Sequence, residues 1–295
     1  MLFNETSLAG KRILITGGGT GLGKGIALHL AAHGAEVHLW GRRLEVLQAA
    51  ADEINTRHGS RAQVQAVDIR KFEQVDSAVA EIWERSGPLT GLINNAAANF
   101  IAPTKDLSPR GYEAIASTVM DGAFFTTQAC GRRWIEGRHK GSVVSMLVTW
   151  VWTGSPYVVP SAMAKAAINA MTMSLAVEWA RYGIRVNAVA PGPFPTDYAW
   201  QMLNPTADSA VGATQADEVP MGRFGEIAEL GNLVLLLQSD GCDYITGETI
   251  AIDGGHHLAA PSTFAGLNKL SDAQWQSIRE ASQAASAQSK AQRNV

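Results

Sequence analysis

Short apolar runs alternate with longer stretches of helical periodicity along most of the chain. Lys11–Thr16, Glu36–Trp40, Gln63–Val67, Gly91–Ile93, Gly141–Val148, Ile184–Ala190 and Thr249–Ile252 read as strands. Their nearly continuous apolar character is that of strands covered on both faces. Between them Leu22–Ala32, Leu44–Thr56, Phe72–Arg85, Ser161–Arg181 and Glu226–Ser239 carry a helical pattern. Repeated strand–helix alternation predicts an α/β fold, a doubly wound parallel seven-stranded sheet with helices on both faces. No linker or composition shift interrupts it, so residues 1–295 are expected to form one domain. Two parts lie outside the alternation. Pro193–Arg223 is too long for an ordinary connection and reads either as a lid beside a site or as a variable surface loop. The Ala/Ser/Gln-rich tail, 271–292, reads as one amphipathic helix capped by Ser271, with Trp275 and Ile278 on its buried face.

Composition narrows the classes. A net charge of −3 over 295 residues provides no general basic field for nucleic acid or membrane. No stretch reaches the length of a membrane span. Met1–Gly10 carries Glu5 and no apolar run, which does not read as a signal peptide. The two cysteines, Cys130 and Cys242, make no disulfide framework and lie in no metal-ligand spacing. A soluble, cytoplasmic protein acting on a small molecule, without a metal, is expected.

The first chemical signal is Thr16-Gly17-Gly18-Gly19-Thr20-Gly21-Leu22-Gly23, between the first strand and the first helix. Glycines there permit a tight turn and close backbone approach, so that a helix N-terminus faces a pyrophosphate, as in Rossmann-type dinucleotide sites. The second strand then selects the nucleotide. An NAD site carries an acid at its end, to accept from the ribose hydroxyls. Here Trp40-Gly41-Arg42-Arg43 has no acid before Glu45. Guanidinium groups suit a 2′-phosphate through charge-assisted contacts, so NADP(H) is expected over NAD(H).

At this point the chain resembles the short-chain dehydrogenase/reductase family. The resemblance runs from about Lys11 to Gly255, through the glycine loop, Asp68, Asn94-Asn95-Ala96-Ala97 and Pro191-Gly192-Pro193. It implies a cofactor site of Gly17, Gly19, Thr20, Gly21, Leu22, Gly23, Arg42, Arg43, Asp68, Ile69, Asn94, Ala96, Lys165, Pro191, Gly192, Phe194 and Thr196. Asp68 would meet the adenine amino group, though alone it also reads as a turn residue. Asn94 would line the cofactor, Thr196 would hold the carboxamide and Lys165 would bridge the ribose. Within the family the chain is most similar to the 2,4-dienoyl-CoA reductases. The segments that carry this are Asn94–Phe100, Val158–Lys165, Gly222-Arg223-Phe224-Gly225 and the tail around Trp275. The pair Ser161-x-x-x-Lys165 stands where common members carry Tyr-x-x-x-Lys, and four-residue spacing puts both on one helix face. The resemblance also implies acyl-CoA contacts at Arg70, Phe100 and Ser108, and a homotetramer.

Departures from the pattern limit the chemistry. The tyrosine of dienoyl-CoA reductases corresponds to Trp150, the serine before it to Val148, the helix asparagine to Asp121, and a lid arginine to Met202. Ketone reduction needs an acid of suitable pKa, and an indole N–H is none. Enone reduction needs only hydrogen bonds to an enolate oxygen, which Asn99, with or without Trp150, supplies. Trp150 reads equally as a packed aromatic. Tyr157 reads either as the surviving acid or as a buried ring. Trp150, Trp152, Phe194 and Trp200 favour an apolar substrate. An NADP(H)-dependent reductase of a conjugated enoyl thioester or similar enone is the leading expectation. The alternatives are a carbonyl reductase or alcohol dehydrogenase using Tyr157, and an NADP-binding protein with little turnover.

Overall fold

The alternating side-chain directions of β1 (Arg12–Thr16) divide the core in two. Ile13 and Ile15 point to one face and Leu14 to the other, and each joins a separate apolar cluster. The computed structural model describes residues 3–196, 216–259, 267 and 269–291, the last seven as backbone only. Its seven strands form one parallel sheet in the order β3-β2-β1-β4-β5-β6-β7. β2 spans Glu36–Gly41, β3 Ala62–Ala66, β4 Gly91–Asn94, β5 Gly141–Met146, β6 Ile184–Pro191 and β7 Thr249–Ile252. Every residue of β4, β5 and β6 is buried. β3 and β7 lie at the edges and are wetter, which is why β3 reads AQVQA despite belonging to a sheet covered on both faces.

One face is covered by α1 (Gly21–Ala32), α2 (Leu44–His58) and α8 (Ile227–Gln238). Their Ile26, Leu30, Leu47, Ile54, Leu230 and Val234 meet Ile13, Ile15, Val37 and Leu39. The other face is covered by α3 (Phe72–Ser86), α5 (Gly122–Gly137) and α7 (Val159–Trp179), through Val79, Ile82, Trp134, Ala176 and Trp179 against Leu14, Leu92, Val143 and Val186. Full burial of each such aliphatic side chain contributes roughly 1.5–3 kcal/mol, and this two-sided burial holds the sheet ends in place.

The segment from α4 (Pro109–Ala116) through a π-helical turn (Ser117–Asp121) into α5 is not among the helices read from sequence. Its Gly, Phe and Thr residues are weak helix formers. Tertiary burial overrides that weakness: Ala129, Cys130 and Trp134 are enclosed, and the Trp134 indole donates to the Leu89 carbonyl at 2.6 Å. Three shorter or later helices complete the described chain: α6 (Trp150–Thr153), α9 (His256–Ala259) and α10 (Asp272–Ala291). Ser271 Oγ accepts from the Gln274 amide at 3.3 Å, capping α10. Trp275 and Ile278 of α10 are buried against Ile101, Trp150, Val158 and Leu267. Of the insert, residues 197–215 lie outside the described residues, and with them Trp200 and Met202. Among the described residues no helix is long and apolar enough to cross a membrane.

Candidate active site

The strand order reverses between β1 and β4, and the crevice outside their carboxyl ends is where a parallel sheet of this kind admits a ligand. The two strands are laced together there. Thr16 Oγ1 accepts from the amides of Asn95 and Ala96, each at 3.0 Å, and Asn95 Nδ2 donates to the carbonyls of Thr16 (3.0 Å) and Gly17 (3.2 Å). Gly17 and Gly21 adopt positive φ, +66° and +53°, which a side chain disfavours. A Cβ on Gly23 would stand 2.3 Å from the Gly17 carbonyl oxygen, so the turn into α1 closes only with glycine there. Thr20, the N-cap of α1, makes no side-chain cap bond, and the first turn carries no acid. The leading amides of α1 thus stay free of a side-chain cap at a crevice that suits an anion.

Above them lies a cavity of about 330 Å³. Gly17, Gly19, Thr20, Gly21 and Leu22 form one wall; Arg42, Arg43, Asp68, Ile69 and Arg70 form another; Ala96 and Thr196 close it. Arg42 and Arg43 are exposed at the start of α2, and among the described lining residues the acid nearest them in the wall is Asp68. Asp68 is not an open ribose acceptor. Arg70 holds it in a bidentate pair, Nε at 2.8 Å and Nη2 at 2.6 Å. That hydrogen-bonded guanidinium holds the Asp68 carboxyl below its usual range against an opposing burial effect, with the Arg42 charge adding to it. Arg70, expected at the acyl-CoA, lines the cavity beside Asp68.

Lys165 and Ser161 sit one turn apart on α7, both buried. Lys165 Nζ donates to the Met146 carbonyl at the end of β5. Burial pushes the Lys165 ammonium down to about 8, since a charge removed from water favours its neutral form. Asn99 carries a side-chain oxygen that is buried without a hydrogen-bond partner, the type of atom a bound ligand satisfies. The helix carrying Lys165 also packs against the π-helical turn that ends in Asp121.

The two aromatic candidates have other surroundings. Trp150 is buried in the cluster built by Ile101, Val158, Leu267, Trp275 and Ile278. Tyr157 takes a positive φ of 64° and lays its ring on the Trp275 indole, centroids 4.5 Å apart. The tail helix therefore packs on both positions from which a tyrosine acid would act.

The packing gives several of these expected residues partners within the protein. Asn94 does not line the cavity: its amide donates to Thr127 Oγ1 at 2.8 Å and accepts from Thr126 Oγ1 at 2.7 Å, fastening β4 to α5. Asn95 takes the lining position instead, together with Thr118, which no motif announced. The sequence signal for Asn95 was its place in the Asn94-Asn95-Ala96-Ala97 motif, one residue beyond the strand end. Phe194 packs over Gly225, where a Cβ would come 2.4 Å from its ring, and joins the core rather than the crevice. Pro191 pairs with Ile252 inside the sheet, and Gly192 lies against Asp253. Ser108 is the N-cap of α4, accepting from the Gly111 amide at 3.1 Å, and Phe100 packs on Gly111.

Comparison with known proteins gives the same answer as the geometry. Residues 17–257 match the family model described as Enoyl-(Acyl carrier protein) reductase. A probable 2,4-dienoyl-CoA reductase of Bacillus subtilis is 39% identical over 249 residues, 84% of this chain and 97% of the relative. A crystal structure of a short chain dehydrogenase from Bacillus anthracis superposes with a TM-score of 0.76 at 39% identity, covering 86% of this chain and 98% of that one. A gluconate 5-dehydrogenase from Burkholderia cenocepacia, solved with NADP and tartrate, superposes at 0.79 with 30% identity, covering 88% and 100%. The glycine loop at the sheet's switch point, the lysine on α7 and these relatives together make the chain an oxidoreductase of the short-chain dehydrogenase/reductase family, whose members use a nicotinamide cofactor.

Proposed function

We propose that this enzyme is an NADPH-dependent reductase of a conjugated enoyl thioester, 2,4-dienoyl-CoA-like, or of a similar apolar enone. The observation that carries this reading is the combination of a buried Lys165 with two aromatic residues, Trp150 and Tyr157, packed against the tail helix. A site so equipped orients a ribose and receives an oxyanion better than it protonates a ketone. Ser161 fits the same face, one turn before Lys165.

The crevice fits the cofactor. A Cβ on Gly21 would come within 3.6 Å of Thr196 Oγ1, and both residues line the cavity that suits a dinucleotide. When bound, the reduced nicotinamide supplies a hydride to the distal carbon of the enone. The α1 amides would hold the pyrophosphate, Arg42 and Arg43 the 2′-phosphate, Asp68 and Ile69 the adenine side, Lys165 the ribose hydroxyls and Thr196 the carboxamide. Asn99 would donate from its amide to the developing enolate oxygen.

Assembly follows from the outer face of α7. Met163, Met173 and Val177 are 54%, 51% and 82% exposed, and Phe124 on α5 is 45% exposed. Apolar side chains in that number on neighbouring helices favour a self-complementary interface, and a homotetramer is the assembly proposed.

The test is NADPH oxidation by the purified enzyme, followed with a 2,4-dienoyl-CoA, a simple enoyl-CoA, an aliphatic ketone and gluconate's keto product as separate substrates. Turnover confined to the ketones would replace this reading with that of a carbonyl reductase, to which the relationship with gluconate 5-dehydrogenase lends its weight.

A further inference from the structure

The wall that would receive a 2′-phosphate carries an acid as well as arginines. Among the described residues lining the dinucleotide cavity, the charged ones are Arg42, Arg43, Asp68 and Arg70. Backbone pairing sets the acid beside Arg42. Gly41 at the end of β2 is in register with Ala66 at the end of β3, and the Val67 amide donates to the Gly41 carbonyl at 2.8 Å. Arg42 and Asp68 each follow one partner of that bond, on neighbouring chains about 5 Å apart. The Arg42 charge accordingly helps to hold the Asp68 carboxyl below its usual range. An open carboxylate at this place would act on a 2′-phosphate twice over. It would repel the phosphate, and it would compete with it for Arg42.

Arg70 cancels that carboxylate. The chain turns sharply after β3: the Lys71 amide donates to the Asp68 carbonyl at 3.0 Å, and the Arg70 amide to Asp68 Oδ1 at 3.2 Å. Gln74 holds the turn from the start of α3, its Oε1 accepting from the Asp68 amide at 3.0 Å. The turn brings the Arg70 guanidinium back onto its neighbour, Nε to Oδ1 at 2.8 Å and Nη2 to Oδ2 at 2.6 Å. Both oxygens are therefore taken by a fork whose spacing matches them. The Asp68 and Arg70 side chains are 17% and 37% exposed, so solvent screens the pair only in part.

We propose that Arg70 is a specificity residue for the cofactor: it neutralises Asp68 and so leaves the adenosine end of the crevice positive enough to admit a 2′-phosphate. The proposal rests on the NADPH reading above, and it assigns Arg70 to the nucleotide rather than to the acyl-CoA contact that the family resemblance implies. An unphosphorylated ribose is neutral, so the charge at Asp68 acts mainly on the difference between NADPH and NADH. Contacts with the adenine ring are common to both dinucleotides and cancel in the ratio of their affinities.

The experiment measures Kd for NADPH and for NADH by nicotinamide fluorescence in the wild type and four variants. These are Arg70→Met, Arg70→Lys, Asp68→Asn, and the double variant Asp68→Asn with Arg70→Met. The formal charge of the pair is zero in the wild type and the double variant, −1 in Arg70→Met and +1 in Asp68→Asn. Preference for NADPH should fall about tenfold in Arg70→Met, return close to the wild-type value in the double variant, and rise in Asp68→Asn. Arg70→Lys keeps the charge and should stay within about threefold of the wild type. Raising the salt from about 0.05 M to about 0.5 M should shrink these differences, which a merely structural role would not produce. A wild-type preference that persists unchanged in Arg70→Met, or a folded double variant that does not recover it, would overturn the proposal and leave the NADPH reading in place. So would a raised KM for a 2,4-dienoyl-CoA in Arg70→Met with the affinity ratio unaltered, which would return Arg70 to the acyl-CoA. A wild-type ratio near one, with the variants still following the order of charge, would uphold the role of Arg70 and overturn the NADPH reading.

Discussion

The indole of Trp275 lies on the ring of Tyr157, centroids 4.5 Å apart and planes tilted by 36°, so the tail helix packs on the loop that carries Tyr157. The same indole belongs to the cluster that encloses Trp150. Truncating it as Trp275→Ala should therefore destabilise the protein by about 3 kcal/mol, read as a shift in urea midpoint. Tyr157→Phe keeps the ring contact and should leave turnover nearly unchanged. A severe loss of rate in Tyr157→Phe would restore the tyrosine mechanism.

Asn99 is the residue on which the oxyanion argument turns. Asn99→Ala should lower kcat by about 10²–10³-fold with NADPH affinity preserved, as measured by steady-state kinetics and nicotinamide fluorescence. Lys165→Ala should depress both, because the ribose loses its anchor. Equal cofactor affinity in Lys165→Ala and the wild type would separate Lys165 from the nucleotide.

Cofactor choice depends on Arg42 and Arg43 at the cavity wall. NADPH should bind at least tenfold more tightly than NADH, a difference of about 1.4 kcal/mol, and Arg42→Ala should remove most of it. Titration of both dinucleotides against both proteins decides the matter.

Lys165 also predicts a pH dependence of stability in the apoprotein. Its folded pKa is pushed down to about 8 from 10.5. Between those values the unfolded chain binds the extra proton and the folded chain does not, so stability rises with pH across that window. Below pH 8 both states are protonated and the burial cost is carried in full. Urea midpoints from pH 7.5 to 10.5 should show the rise, and Lys165→Met should flatten it.

Val177, 82% exposed on α7, tests assembly. The wild type should sediment as a tetramer at micromolar concentration, and Val177→Asp should shift it to smaller species without loss of NADPH binding. A monomeric wild type would refute the interface.

Sequence alone determined the parts of this protein that depend on neighbours in the chain. The inner strands appear as apolar runs because burial on both faces leaves no polar side to alternate, and the ends of all seven strands moved by at most two residues in the structure. The glycine loop was legible because a missing Cβ is itself the requirement, as the 2.3 Å approach at Gly23 shows. Arg42 and Arg43 were legible because strand β2 ends beside them. The helix from Gly122 was not, since its weak local propensity is overridden by burial of Trp134 and Cys130, which only distant partners provide. Whether Asn94 or Asn95 faces the crevice depended on Thr126 and Thr127 of another element. That the Arg70 guanidinium clamps Asp68 was not legible either, although the two lie only two residues apart. The stacking of Tyr157 on the tail helix was not legible for the same reason, since side chains brought together by crossovers leave no trace in the spacing of residues along the chain.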